Sequence, residues 1–145
     1  MEVCLLVVGE AVNGDATKPI LIVEDDLDIR DALQEILEDE GYQAYAAANG
    51  AEALEVLDRV PKPGLVLLDL MMPVMDGYQF LEIFRANPEF TDIPVVVVTA
   101  GILVVPGIAG FIKKPFDTAQ LLRMVNKLFP APGLTNGRDA RSAPG

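Results

Sequence analysis

Short apolar runs alternate with amphipathic segments along this chain. Runs rich in Val, Ile, Leu or Ala predict five β-strands, at residues 20–23, 43–47, 65–68, 95–98 and 111–112. Several of these runs lack polar alternation, which is typical of parallel strands that are covered on both faces. Segments with helical spacing of apolar residues lie between them. The alternation of strands and helices predicts an α/β fold with a doubly wound parallel sheet and right-handed crossovers.

The predicted helices differ in the strength of their apolar spacing and of their capping signals. The clearest helix covers residues 28–40 and is followed by Gly41, a residue favoured just after a helix end. A second helix is marked by Ala53, Leu54 and Leu57, and a third covers residues 77–87. The last helix begins near Asp117, which is spaced from Gln120 as in a capping box.

The connection between the fourth and fifth strands is unusually short. It consists of residues 100–109 and contains Gly101, Pro106 and Gly107, which disfavour helix. A crossover with its helix normally needs at least about 10 to 12 residues. We therefore expect the fourth helix to be shortened or missing, and residues 102–105 to cap the sheet as a packed loop.

Length and composition indicate one domain with an aliphatic core. The chain has 145 residues, of which 51% are hydrophobic, and it has no Trp. We predict an N-terminal extension at residues 1–17, a domain at 18–129 and a flexible C-terminal tail at 130–145. We expect no signal peptide in the first residues, since Glu2 stands where a positive charge is expected and the apolar run is short. No run of apolar residues is long enough to span a membrane.

The net charge of the chain indicates which class of partner it disfavours, and its cysteine content indicates a cellular compartment. Eleven basic residues against 22 acidic ones give a net charge of -11, which disfavours direct binding to nucleic acid. The single cysteine, Cys4, permits no internal disulfide, and a cytoplasmic location is the simplest interpretation.

Polar residues that follow the predicted strands supply the candidate chemistry. Glu24, Asp25 and Asp26 come after the first strand, Asp69 after the third, and Thr99 and Lys114 after the fourth and fifth. Ligands of open α/β sheets bind outside the carboxyl ends of the strands. Carboxylates, a hydroxyl and an ammonium group suit a phosphoryl group together with a divalent metal. Each residue alone also has a plain structural interpretation. The alternative is a helix start for the acidic run and an Asx-turn for Asp69. For Thr99 it is a β-former, and for Lys114 a surface residue.

Four motifs in the right order resemble the receiver domain of two-component response regulators. They are residues 19–26 (PILIVEDD), 67–77 (LLDLMMPVMDG), 97–100 (VVTA) and 111–117 (FIKKPFD). The resemblance covers about residues 18–129. It implies a flavodoxin-like five-stranded sheet with the strand order 2-1-3-4-5.

The resemblance also implies a role for each acidic residue. Asp69 is expected to be the phosphoacceptor and a metal ligand. Asp25 is expected to bind the metal directly, Glu24 to act through water or from outside the direct ligands, and Asp26 to be a lesser acidic neighbour. The backbone carbonyl of Met71 is expected to complete the site. The expected metal is Mg²⁺, with Mn²⁺ as a possible substitute.

The remaining motif residues are expected to bind phosphate and to switch. The resemblance assigns phosphate binding to Thr99 and Lys114, and it makes Phe111 an aromatic residue that turns inward when Thr99 shifts. The alternative for Phe111 is an ordinary core residue. In the loop after Asp69, we expect Pro73 to fix φ and Gly77 to adopt a positive φ.

These observations favour a stand-alone receiver that takes phosphate from a sensor histidine kinase or a histidine phosphotransfer protein. Such a domain is a regulatory phosphoacceptor, and it is an enzyme only toward its own aspartate. One alternative is a docking module or phosphate sink of the same fold that does not switch. A phosphatase of the haloacid-dehalogenase type, with an Asp nucleophile, is less favoured because Met71 stands where that family has a second Asp.

Overall fold

The computed structural model describes residues 18–101 and 105–130. The predicted N-terminal extension, residues 1–17, lies outside the described residues, as does the predicted tail after Pro130. Within the described ranges, no helix is both long and apolar enough to cross a membrane.

The five predicted strands form one sheet in which every neighbouring pair is parallel. The strand order is β2-β1-β3-β4-β5, which confirms the order that the resemblance implied. The strand bounds are β1 Ile20–Val23, β2 Ala44–Ala47, β3 Leu65–Leu68, β4 Val95–Thr99 and β5 Gly110–Lys113. The predicted second strand begins one residue later than expected, although the carbonyl of Gln43 already accepts a hydrogen bond from the amide of Ile20.

Helices flank the sheet, and we number them in chain order. They are α1 Leu27–Asp39, α2 Gly50–Arg59, α3 Gly77–Ala86 and α4 Thr118–Leu128, with a short 3-10 helix at Pro88–Phe90. In the described ranges no helix lies between β4 and β5, which agrees with the predicted loss or shortening of the fourth helix. Of the predicted packed loop at 102–105, only Val105 is described, and it packs against the core.

Helix ends are capped much as the sequence predicts. After α1, Gly41 has a φ of 100° and donates to the carbonyl of Glu38, while the amide of Tyr42 donates to Leu37. At α4 the Asp117 carboxylate accepts from the amide of Gln120, which is one half of the predicted capping box. The complete reciprocal box lies at the start of α3, between Asp76 and Gln79.

Alternate residues of β1, β3 and β4 pack into two separate cores, which explains the continuous apolar runs of these strands. One core lies under α1 and α4 and includes Ile20, Ile22, Leu65, Leu67, Val96, Val98 and Ile112. The other lies under α2 and α3 and includes Leu21, Val23, Val66, Leu68, Val95 and Val97. Because all neighbouring strands are parallel, the polar residues that follow them gather at the carboxyl edge of the sheet.

Candidate functional site

Strand pairing brings three acidic side chains together. Val23 and Leu68, the last residues of β1 and β3, lie opposite each other. The amide of Asp69 donates to the carbonyl of Val23 (2.9 Å), and the amide of Glu24 donates to that of Ala47 (3.0 Å). Carboxylate oxygens of Glu24, Asp25 and Asp69 consequently lie within 4.8 Å of one another. This is the convergence that the sequence predicts.

The three carboxylates differ in their surroundings. Glu24 and Asp69 are buried, with 1% and 4% of their surface exposed, whereas Asp25 is exposed. The amide of Asp26 donates to Glu24 Oε2 (3.2 Å), and the amide of Met71 donates to Asp69 Oδ1 (3.3 Å). Each backbone bond satisfies only part of a carboxylate. Buried negative charge of this kind requires a cationic partner.

Lys114 supplies one positive charge to the cluster. Its Nζ lies 2.8 Å from Glu24 Oε1 and 3.4 Å from Asp69 Oδ2. Both contacts are ion pairs, and in the second one Nζ also donates a hydrogen bond to Asp69 Oδ2. Lys114 follows β5, its amide donates to the carbonyl of Thr99 (2.9 Å), and its peptide bond to Pro115 is cis.

These contacts shift the pKa values of two groups. Burial raises the pKa of Glu24, and Asp69 adds to that rise, while the pairing with Lys114 opposes it. Burial alone would lower the pKa of Lys114, but the contacts with Glu24 and Asp69 outweigh it and raise that pKa. Lys114 therefore stays positively charged at neutral pH.

The hydroxyl of Thr99 has no partner in the described part of the chain. Thr99 is the last residue of β4, its exposed surface is 0%, and its Oγ1 is buried without a hydrogen bond. A buried hydroxyl without a partner costs free energy, and such groups often mark a place where a ligand binds. It lies at the same edge of the sheet as Asp69 and Lys114.

Comparison with known proteins identifies the family of this chain. The family described as the response regulator receiver domain matches residues 20–126. The chain belongs to this family. It is 36% identical over 132 residues to the response regulator Rre1 of Synechocystis, covering 86% of this chain and 57% of that protein. It is 38% identical over 118 residues to the sporulation initiation phosphotransferase F of Bacillus subtilis, covering 77% of this chain and 93% of that protein.

A solved receiver structure agrees with the fold. The response regulator TrrA of Thermotoga maritima, solved in complex with Mg²⁺-BeF, has a TM-score of 0.67 and 32% identity. The match covers 77% of this chain and 98% of that one. This receiver spans little more than half the length of the first curated relatives it matches. Receiver domains are regulatory phosphoacceptors of two-component phosphorelay signalling.

Asp26 and Met71 each make a hydrogen bond with a residue close to them in the chain. Asp26 is the N-cap of α1, and its carboxylate accepts from the amide of Ile29 (3.1 Å). The side chain of Met71 is 67% exposed, while its amide contacts Asp69. The carbonyl of Met71 stays a predicted ligand.

Phe111 is not a core residue of this receiver. It pairs with Val97 in the sheet, yet its side chain is 37% exposed, whereas Val97 is fully buried. The interpretation as an ordinary core Phe is therefore wrong. The physical reason is that, within the described ranges, no helix follows β4 to cover this end of the sheet.

The loop after Asp69 takes a different shape from the one expected. Gly77 does not have a positive φ, so that expectation is wrong, and the positive φ of 66° belongs to Val74. Gly77 is required for space instead. A Cβ at this position would collide with the carbonyl oxygen of Asp69, far inside van der Waals contact. Only close packing of α3 against the end of β3 creates this demand.

The sequence interpretation missed Arg30. Its Nη1 donates to the carbonyl of Glu24 (2.9 Å) and, more weakly, to that of Asp25 (3.3 Å). The available signal was an Arg one helical turn after the acidic run. Hydrogen bonds to backbone carbonyls are not specified by residue type, so the spacing alone did not identify it.

Proposed function

We propose that this receiver accepts a phosphoryl group on the carboxylate of Asp69. The donor is a phosphohistidine of a sensor histidine kinase or of a histidine phosphotransfer protein. The observation that carries the proposal is the convergence of Asp69 with Glu24, Asp25 and Lys114 at one edge of the sheet. The family membership and the likeness to a phosphotransferase support the same conclusion.

The acidic cluster fits a hard divalent cation. Its carboxylate oxygens lie within 4.8 Å of one another, and one Lys offsets only part of their charge. Asp25 and Asp69 would bind Mg²⁺ directly, with the Met71 carbonyl, and Glu24 would contribute through water; Mn²⁺ would substitute. When bound, the cation neutralises negative charge on the phosphoryl oxygens and so favours attack by a carboxylate. The likeness to TrrA, solved with Mg²⁺-BeF, supports this assignment.

The side chains of this receiver account for the transfer step. An Asp69 carboxylate oxygen forms a bond to phosphorus as the bond from phosphorus to the donor imidazole nitrogen breaks. The electron pair of that bond stays on the imidazole nitrogen, which takes up a proton from solvent, so that the donor leaves as a neutral imidazole. Lys114 is 3.4 Å from Asp69 Oδ2, so its charge offsets the phosphoryl group, and the free hydroxyl of Thr99 donates to a phosphoryl oxygen.

The test is labelling by a small phosphodonor with and without Mg²⁺. We expect the wild type to be labelled only with Mg²⁺, and Asp69→Asn to be unlabelled because it lacks the nucleophile. Asp92→Asn is the matched control, since Asp92 is exposed and the change of charge is the same. Labelling that persists in Asp69→Asn contradicts the proposal.

The proposed output is a switch through Thr99 and Phe111. The hydroxyl of Thr99 gains a partner on phosphorylation, and the exposed ring of Phe111 turns inward. A second candidate, a docking module or phosphate sink that does not switch, is favoured by the absence of a helix between β4 and β5 in the described ranges.

Hydrogen–deuterium exchange separates the two candidates. With Mg²⁺ and beryllofluoride as a phosphate mimic, a switch slows exchange of the amides of Gly110–Lys113, because the inward ring shields this edge strand. Exchange that is unchanged in this strand while the mimic binds favours the docking module or sink.

A further inference from the structure

Three consecutive carbonyl groups of the acidic loop accept hydrogen bonds from one residue, Arg30. Its guanidinium Nη1 lies 2.9 Å from the carbonyl oxygen of Glu24 and 3.3 Å from that of Asp25. Its own amide lies 2.8 Å from the carbonyl oxygen of Asp26. Arg30 is in the first turn of α1 and is half-buried. The side chain of Arg30 therefore holds two of the three peptide carbonyls between β1 and α1, and its backbone amide holds the third.

These bonds fix the part of the loop that the sheet does not hold. The sheet holds the amide of Glu24 through the carbonyl of Ala47, but the peptide groups that follow have no strand partner. Arg30 sets the direction of their carbonyls. The direction of a carbonyl sets the backbone torsion angles on both sides of it, and so the direction in which the side chains leave the chain. Asp25 depends on this most, because it is the exposed member of the three carboxylates.

We infer that Arg30 is a positioning residue for the cation site. It orients the backbone of Glu24 and Asp25 so that their carboxylates face Asp69, and it thereby increases the affinity for a divalent cation. This inference rests on the proposed function, in which these carboxylates bind Mg²⁺. Residues that orient metal ligands commonly change metal affinity by about 10- to 100-fold when they are substituted.

The charge of Arg30 acts in the opposite direction, which makes the inference testable. A guanidinium beside a cation site repels the cation, so the loss of its charge alone would strengthen binding. The loss of orientation would weaken binding. The sign of the change in affinity therefore distinguishes a positioning residue from a bystander.

The experiment is a titration of the full chain with Mg²⁺ by isothermal titration calorimetry. We expect Arg30→Gln to bind Mg²⁺ about 10-fold more weakly than the wild type. Arg59→Gln is the matched control, because Arg59 is exposed at the end of α2 and the change of net charge is the same. Its affinity should stay close to that of the wild type. Binding by Arg30→Gln as tight as the wild type, or tighter, overturns the inference.

Two further variants keep the test decisive. Arg30→Lys retains the charge but has a shorter reach, so we expect weaker binding than the wild type; it also decides the outcome if Arg30→Gln does not fold. Thermal unfolding of each variant is measured in parallel, since a role limited to starting α1 would lower Tm and leave the affinity unchanged. A wild type that binds no Mg²⁺, or binds it no better than Asp25→Asn, contradicts the cation site itself, whereas equal binding by wild type and Arg30→Gln contradicts only the role of Arg30.

Discussion

The edge of the sheet where Glu24, Asp25 and Asp69 converge, which we call the acidic end, and the connection from β4 to β5 are stabilised in different ways. At the acidic end, β1 and β3 pair along their whole length, and backbone bonds hold both Glu24 and Asp69. The connection is instead held by a backbone bond from the amide of Ala109 to the carbonyl of Val95 (2.8 Å) and by a side chain, Arg85 of α3, which reaches Gly107. Its guanidinium donates to the carbonyls of Phe90 (3.3 Å), Ile93 (3.0 Å) and Gly107 (3.1 Å).

The comparison indicates why the position of Lys114 does not need a helix in the connection. Lys114 reaches the acidic cluster because β5 pairs with β4 up to Thr99 and Lys113, and because its amide bonds to Thr99. Strand pairing is thus sufficient to position Lys114. The shorter connection affects the neighbouring surface, where Phe111 is exposed. This receiver has a convergent acidic end beside a face on which Phe111 is exposed, and the predictions below separate the two.

The largest effect is expected from Lys114→Met, which breaks the acidic end. Phosphorylation by a small phosphodonor should slow by about 100-fold, because the charge that offsets the phosphoryl group is lost. Lys113→Met is the matched control, since Lys113 is exposed and one residue away. The comparison fails if both variants are slowed equally, because a general loss of positive charge would then explain the effect.

Arg85→Met should break the connection and spare the acidic end. We expect the free energy of unfolding to fall by about 1 to 3 kcal/mol, since three carbonyls lose a charged donor. Urea unfolding measures this change, with Arg59→Met as an exposed control. Phosphorylation of Asp69 should be nearly unchanged. A loss of phosphorylation as large as that of Lys114→Met would show that the two regions are not independent.

Tyr42 provides a pH-dependent test of the scaffold that supports both regions. Its hydroxyl lies against the side chain of Asn126 and the carbonyl of Phe129, so it joins the end of α1 to the end of α4. Burial, with a smaller contribution from Glu40, raises the pKa of Tyr42. The neutral form is thus favoured in the folded state. This stability is fully present below a pH of about 10 and is lost as the pH rises above it.

The loss should reach roughly 1.4 kcal/mol per pH unit above that point. Lys114, whose pKa is also raised, loses its stabilising charge in the same direction at high pH, so a control is needed. Tyr42→Phe should cost about 1 kcal/mol at neutral pH and remove the part of the pH dependence that belongs to Tyr42. Identical pH profiles of the two proteins in urea unfolding would contradict the prediction.

The smallest effect is expected from Phe111→Ala, which tests whether the ring of Phe111 is exposed in solution. The exposed ring should contribute only about 1 kcal/mol or less to stability. Phe84→Ala is the buried counterpart and should cost about 3 to 5 kcal/mol, since Phe84 is 1% exposed. If both variants cost the same in urea unfolding, the ring of Phe111 is covered in solution.

Local patterns of the sequence were sufficient for most of the fold. The bounds of β1 and β3 were predicted to the residue, and Gly41 was identified as the residue after α1. These features depend on the burial pattern of a few neighbouring residues or on the φ of one glycine, so they can be detected locally. The capping box at Asp76 and Gln79 was missed, although its residue types were visible.

Features that depend on close approach between distant segments could not be predicted in the same way. The space required at Gly77 exists only because α3 packs against the end of β3. The roles of Arg30 and Arg85 depend on carbonyl groups that face these side chains only in the folded chain. A carbonyl is present in every residue, so no residue type marks the acceptor.

The sequence by itself determined the five strands, the scarcity of residues for a fourth helix, and the residue types that come to the carboxyl edge of the sheet. Only the tertiary structure decided that Lys114 contacts Glu24 and Asp69, that the Thr99 hydroxyl is left without a partner in the described residues, and that Phe111 is exposed. The physical reason is that burial patterns are local, whereas distances between side chains follow from the register of strands that are far apart in the chain.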